Sequence, residues 1–334
     1  MSDIQRHRMV RITDTLGQAI PLSKQLSIMV ISYNTREETL ECLRSVFDQN
    51  LGIDLEVIVL DNKSTDGSAD AIEQEFGDRV TLIRSEENLG FAGGNNATAK
   101  IATGEYLLLL NPDTVILDHG IDKLMQFAEE RPEARIWGSR TVFRDRSINP
   151  SYWKFMSVTS LTLQVLGLNS MFRKSRICNP ESMSLWTKNE EDSVDWITGC
   201  FLLLKKSFWD ELEGFSPIYF MYGEETDLCL RAIKRGARPR ATTNATIIHL
   251  GGASEKIRVD ATIRIIRAKV QLIKDHFHPI KRPLGIMLFK AWPWSRMFAH
   301  GILKRLGRKS SALSHREWGE IVKRRSEWQK GFVN

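Results

Sequence analysis

The sequence predicts an α/β protein with a mostly parallel sheet flanked by helices and a basic helical C-terminal extension. Three observations carry this. Short apolar runs recur between helical periods, polar clusters stop the runs, and the charge balance changes sign near residue 256.

Leu26–Ser32 (LSIMVIS) reads as a buried strand, followed by a helical period over 36–49 at Leu40, Leu43, Val46 and Phe47. Leu55–Leu60 (LEVIVL) is a second strand. Turn chemistry over Ser64–Gly67 then leads into a helix ending at Phe76. Val80–Ile83 and Tyr106–Leu110 are further strands, with a helix over 93–103 entered through a glycine-rich turn, Gly90–Gly94. A helix over 118–130 and a strand near Ala134–Gly138 come next. Residues 140–192 lack a clear period and read as an excursion that lines or covers a site. Regularity returns at Val194–Lys205, at a helix over Glu224–Arg235 closed by Gly236, and at a strand over Ala245–His249. Strands alternating with helices at this spacing imply βαβ units.

Beyond Asp260 the pattern is helical, with Ile263, Ile266, Val270 and Ile273 on one face. Lys281–Pro283 and Trp292–Trp294 are expected to break it into segments. Residues 256–334 carry 19 Lys and Arg against 5 Asp and Glu, while the remainder carries 28 against 36. Such a tail either meets anions or is a solvated helical face. It has no zinc-finger, RNP or helix-turn-helix signature, so no nucleic-acid partner is expected. The expected organisation is a leader over 1–24, an α/β domain over 25–255 and the extension over 256–334.

Cys42, Cys178, Cys200 and Cys229 are scattered, which signals neither a zinc site nor a disulfide framework and suits a reducing cytoplasm. The N-terminus is polar, and no apolar run approaches the roughly 20 residues of a membrane span. The expected location is cytoplasmic, peripheral on the inner face of the membrane.

Ligands of open parallel sheets bind at the carboxyl ends of the strands. Four polar groups fall there: Ser32–Tyr33–Asn34, Asp61–Asn62, Asn111–Pro112–Asp113 and His249–Leu250–Gly251–Gly252. Asp61 can accept from a ribose hydroxyl or a base N–H. The backbone of the glycine-rich segment can meet phosphate, although it matches neither a dinucleotide fingerprint nor a P-loop. Asp113, just past a buried strand, is placed to hold a divalent cation, with His249 as a second ligand. Glu224, Glu225 and Asp227 cluster at a helix N-terminus, whose dipole favours carboxylates and suits a general base. Asp227 and Arg231 can pair at i,i+4.

The segments SIMVISYN, VLDNKSTDGS, ENLGFAGGNN, LLLLNPDT, VDWITGCFLLLKK, GFSPIYFMYGEETDLCLRAIKRG and IIHLGGAS follow one another over about residues 26–254. Together they resemble family 2 glycosyltransferases of the GT-A fold, especially the bacterial rhamnosyltransferase-like branch. The resemblance implies inverting transfer of rhamnose or a similar hexose from a dTDP- or UDP-sugar to a glycan or lipid-linked glycan. By it, Ser32, Tyr33, Asn34, Asp61, Asn88, Gly93, Asn95 and Asn111 would serve the donor, and Trp196 and Thr198 would border the sugar or acceptor. Asp113, with His249, would hold Mg²⁺ or Mn²⁺. Two departures stand out. The metal motif opens on Asn111 rather than a carboxylate, and Glu224–Glu225 replaces the usual Glu-Asp, placing the base on Glu225 or else Glu224. A non-catalytic nucleotide-sugar binder on the same fold is the alternative. The basic tail, with Trp292 and Trp294, is expected to dock on an anionic membrane surface.

Overall fold

Period-two burial organises the sheet. The first strand, β1 (Leu26–Ser32), is buried throughout, yet Leu26, Ile28 and Val30 enter one core while Met29 enters another. An apolar run of this kind belongs to a sheet covered on both faces. The computed structural model describes residues 25–49, 51–188, 190–251 and 258–332. The expected leader and Gly252 lie outside the described residues.

The other strands are β2 (Leu55–Asp61), β3 (Thr81–Arg84), β4 (Tyr106–Leu110), β5 (Thr114–Ile116), β6 (Ile136–Val142), β7 (Ile148–Asn149), β8 (Tyr152–Trp153), β9 (Glu191–Ser193), β10 (Trp196–Ile197), β11 (Phe201–Lys205) and β12 (Arg240–His249). The main sheet runs β3-β2-β1-β4-β11-β6-β12-β5, with β7 against β6 and β9 against β12. Strands β3, β2, β1 and β4 are parallel. Antiparallel β11 sits between β4 and β6, and β12 runs parallel to β6. The carboxyl ends of β1, β2, β4 and β12 therefore share one edge. The register places Ser32 beside Asp61 and Thr114 beside His249 at that edge.

The helices preceding the extension are α1 (Arg36–Phe47), α2 (Ser68–Phe76), α3 (Gly90–Ile101), α4 (Gly120–Glu130), α5 (Val158–Leu166), α6 (Leu168–Met171), α7 (Met183–Trp186), α8 (Lys206–Glu211) and α9 (Glu224–Lys234). Helices α1, α2 and α4 pack on one face of the sheet, and α3, α8 and α9 on the other. Helix α3 starts at Gly90, three residues before the expected position. Gly93 and Gly94 lie inside it because a Cβ on Gly94 would come within 2.8 Å of Ile31, so that glycine permits close helix–strand packing rather than a turn.

The extension supplies α10 (Arg258–His276), α11 (Arg282–Arg305) and α12 (Ser310–Lys323). Ile263, Ile266, Val270 and Ile273 bury together with Leu161, Phe289 and Trp328, as their spacing foretold. Ala268 and Leu272 of α10 instead join the core beneath α9. The expected break at Trp292–Trp294 does not occur. Helix α11 continues through Pro293, which is buried, while Pro283 sits in its first turn, where a missing N–H costs nothing. Among the described residues no helix is long and apolar enough to cross a membrane.

Candidate active site

The edge shared by β1, β4 and β12 opens onto a cavity of about 290 Å³. Its polar floor begins where β4 ends. Asn111 donates its N–H to the Cys200 carbonyl at 3.1 Å and accepts the Thr114 hydroxyl at 2.7 Å, fixing the turn between β4 and β5. Thr114 is in register with His249, so the next side chain back, Asp113, reaches that histidine: Oδ1 lies 3.3 Å from His249 Nε2. Oδ2 accepts the Gly251 N–H at 2.9 Å, and Leu250 donates to the Asp113 carbonyl at 3.0 Å. Burial works against the charge on Asp113, but His249 and the Gly251 amide outweigh it and hold its carboxyl below the usual range. Burial likewise opposes charge on His249. The Cys200 sulfur and Asp113 outweigh it and hold the imidazole well above its ordinary pKa. Asn111 Nδ2 lies 3.3 Å from His249 Nε2, and Asn111 Oδ1 is buried without a hydrogen-bond partner.

The opposite wall is the start of α9. Gly223 caps it at φ +94°, and a Cβ there would crowd Tyr219 and Ala268. The three acids that follow divide by partner. Asp227 turns inward, accepting from Arg231 Nε at 2.7 Å and lying 2.8 Å from His276 Nε2 in α10. Arg231 also donates to the Leu212 and Gly214 carbonyls at 2.5 and 2.8 Å. The i,i+4 pair thus serves the scaffold. Glu224 and Glu225 face the cavity, and each has a buried Oε2 without a partner. Burial, and then the neighbouring Glu225 charge, push Glu224 well above the carboxylate range. Burial raises Glu225 to about 7. Such a group is half ionised near neutrality, which suits proton abstraction.

Between these walls stand Trp196, stacked on Trp153 at 4.1 Å, and Thr198, whose N–H donates to the Ser151 carbonyl at 2.9 Å. Phe91 lines the cavity and donates its N–H to the Phe220 carbonyl at 2.9 Å. Gly90 has φ +70°, and a Cβ there would lie 2.3 Å from that same carbonyl oxygen. Gly90→Ala is expected to cost on the order of 2–3 kcal/mol, combining left-handed strain with a backbone clash, as read from urea unfolding.

Of the residues expected from the sequence, Tyr33, Asn88, Asn111, Asp113, Trp196, Thr198, Glu224, Glu225 and His249 line this cavity. The others lie beside it. Ser32 is held by the Thr35 and Thr39 hydroxyls, and Asn34 accepts the Thr65 N–H at 2.8 Å. Asn95 Nδ2 donates to the Phe91 carbonyl, and Gly93 lies within α3. Asp61 accepts the Ser64 N–H at 3.0 Å and keeps a buried, unpartnered Oδ1, while its neighbour Asn62 reaches the wall. Sequence reasoning missed Phe91, Cys200, Met221 and Tyr222 as lining residues. Each adjoins a motif that was read for its polar members.

Among the described residues no group of three His, Cys, Asp or Glu converges as a cation site. Asp113 and His249 make a pair, with the orphaned Asn111 Oδ1 close by. That set fits a cation of the Mg²⁺ or Mn²⁺ type, which takes few protein ligands and completes its shell with water and substrate phosphates.

The glycosyl transferase family 2 model matches residues 27–209. The chain is 28% identical over 207 residues to the N-acetylglucosaminyl-diphospho-decaprenol L-rhamnosyltransferase of Mycobacterium tuberculosis, covering 58% of this chain and 66% of that one. It is 31% identical over 160 residues to the rhamnosyltransferase WbbL of Escherichia coli, covering 45% and 56%. The chain thus spans less than two thirds of either relative. A mannosyltransferase from Pyrobaculum calidifontis, solved with GDP-Man and Mn²⁺, shares the fold at TM-score 0.57 and 16% identity, over 93% of this chain and 89% of that one.

Proposed function

The chain belongs to glycosyl transferase family 2, and on that footing we propose that it moves a sugar, with inversion, from a nucleoside diphosphate donor to a glycan or lipid-linked glycan. One observation carries the reading. The Asp113–His249 pair faces Glu224 and Glu225, each with one buried and unpartnered carboxylate oxygen, across one cavity. The rhamnosyltransferase relatives support rhamnose or a similar hexose as the sugar moved, and in this reading a dTDP- or UDP-sugar donates it.

The acceptor hydroxyl oxygen bonds to the anomeric carbon as the bond to the diphosphate oxygen breaks. Its electron pair leaves with the diphosphate. Glu225 takes the hydroxyl proton. Glu224 is the more deeply buried, and burial with the neighbouring Glu225 charge pushes its carboxyl well above the ordinary carboxylate range, which makes Glu225 the better placed of the two to take the proton. When bound, Mg²⁺ or Mn²⁺ stabilises charge developing on the diphosphate. Asp113 and His249 hold it, Trp196 supplies a flat surface for the sugar, and Asn88 and Tyr33 border the donor. Two carboxylates at the cavity favour turnover over a binding-only role. The test is release of UDP or dTDP from UDP- or dTDP-sugars with Mn²⁺. A protein that binds the nucleotide but releases none from any donor and acceptor combination would support the binding-only alternative.

In this reading residues 25–255 carry the transfer site, and the extension braces it and meets an anionic lipid surface on the cytoplasmic side. Leu284, Met287, Trp294, Phe298 and Ile302 of α11, and Leu306 at its C-terminal cap, are exposed at spacings of three, four and seven. Lys281, Arg282, Lys290, Lys304 and Arg305 accompany them. Exposed Leu166, Met171 and Phe172, followed by Arg173 and Lys174, lie on the segment that packs beside α11. Such a face suits shallow insertion among anionic headgroups. Trp292 takes no part, because it packs against Phe289 and Trp318. Phe298→Glu with Ile302→Glu is expected to lower cosedimentation with anionic vesicles at least 10-fold and to leave UDP binding unchanged. Undiminished sedimentation would remove α11 as the anchor.

A further inference from the structure

Glu225, Trp196 and Tyr222 face two cavities. Besides the one described, they border a second of about 170 Å³ that contains neither Asp113 nor His249. The base therefore stands between a side equipped for a cation and a diphosphate and a side without that equipment. Helix α10 of the extension builds the second side. It contributes Ile265, Ala268, Lys269 and Leu272, with Met156 and Glu181 opposite.

The chemistry of this wall is specific. Ile265, Leu272 and Met156 are apolar. Glu181 can accept from hydroxyls. Lys269 is the one cation among the described lining residues, and its ammonium has no carboxylate partner among the described residues. A half-buried lysine without an ion pair, beside apolar side chains and next to the base, offers a site for an anion attached to something apolar.

We propose that this cavity is the acceptor subsite, and that it takes a saccharide joined through phosphate or diphosphate to an apolar chain. Lys269 binds the phosphate while Ile265 and Met156 meet the first apolar segment. The acceptor hydroxyl then reaches Glu225 from the α10 side. The proposal rests on the transferase reading above and adds the acceptor's charge class. It also gives the extension a part in substrate choice, although the extension lies outside the matched family segment.

The test is calorimetric titration of the full chain, with Mn²⁺ and UDP present, using two probes. One is N-acetylglucosaminyl diphosphate on a farnesyl chain. The other is neutral octyl N-acetylglucosaminide. The wild type is expected to bind the diphosphate probe at least 10-fold more tightly. Lys269→Ala should abolish that preference, Lys269→Arg should keep it, and UDP affinity should stay the same in both variants. Equal preference in the wild type and Lys269→Ala overturns the proposal. So does absence of probe binding by a wild type that binds UDP, and so does a parallel loss of UDP and probe binding in Lys269→Ala. Failure of the wild type to bind either UDP or dTDP with Mn²⁺ would instead count against the transferase reading itself.

Discussion

Replacing Glu225 with Gln is expected to lower kcat by about 10²–10⁴-fold, the range ascribed to a positioned general base, with UDP affinity unchanged. The amide fills the same space and cannot take the acceptor's proton. Burial holds the Glu225 carboxyl at about 7, so wild-type kcat should rise as pH passes through neutrality and level off above it. The linked effect on stability has the opposite sense. An acid whose pKa is raised on folding favours the protonated folded state. Its contribution is fully present below the ordinary carboxylate range and is lost as pH climbs to about 7. Glu225→Gln should therefore unfold at a higher temperature than the wild type at pH 8, with the gap closing by pH 4. A variant with wild-type kcat, or a rate profile flat from pH 5 to 8, would remove Glu225 as the base.

Asp113→Ala is expected to lower kcat/KM by about 10²–10³-fold, the scale of removing one group that stabilises developing negative charge. The variant should also lose the tightening of UDP binding by Mn²⁺, because His249 alone remains of the pair. Its imidazole, now without the carboxylate at 3.3 Å, should titrate at lower pH. The Gly251 amide loses its acceptor too, so the chain after β12 should exchange its amide hydrogens faster. Calorimetry with and without Mn²⁺ reads the first effect and hydrogen exchange the last. Equal Mn²⁺ dependence in both proteins would remove Asp113 from the cation site.

Strands β1, β2 and β4 were legible because each is a continuous apolar run stopped by a polar residue, at Ser32, Asp61 and Asn111, whereas β6 and β12 mix polar residues into the run and were read only in part. Two helix boundaries were not legible. Gly94 looks like turn chemistry until Ile31 is seen against it, and Pro293 looks like a stop although the surrounding helices hold α11 together. The meeting of Asp113 and His249 was legible for the same reason as the strands. Asp113 and His249 each follow or end a strand, and strand ends of like direction share an edge. Other polar residues at that edge hold local partners that the sequence did not announce. Ser32 spends its hydroxyl on Thr35 and Thr39. Asp227 is set apart from Glu225 by Arg231, which the i,i+4 spacing announced, and by His276, 49 residues away in the extension, which no local pattern announces. The apolar half of the cavity was hidden likewise, since Phe91 is placed by the carbonyl of Phe220 from a distant loop.

A crystal structure of the chain with Mn²⁺ and UDP tests the central claim most directly. The account predicts Mn²⁺ on Asp113 and His249, with the nucleotide in the cavity whose opposite wall carries Glu225. A nucleotide bound away from this cavity, or a cation seated on other side chains, would contradict it.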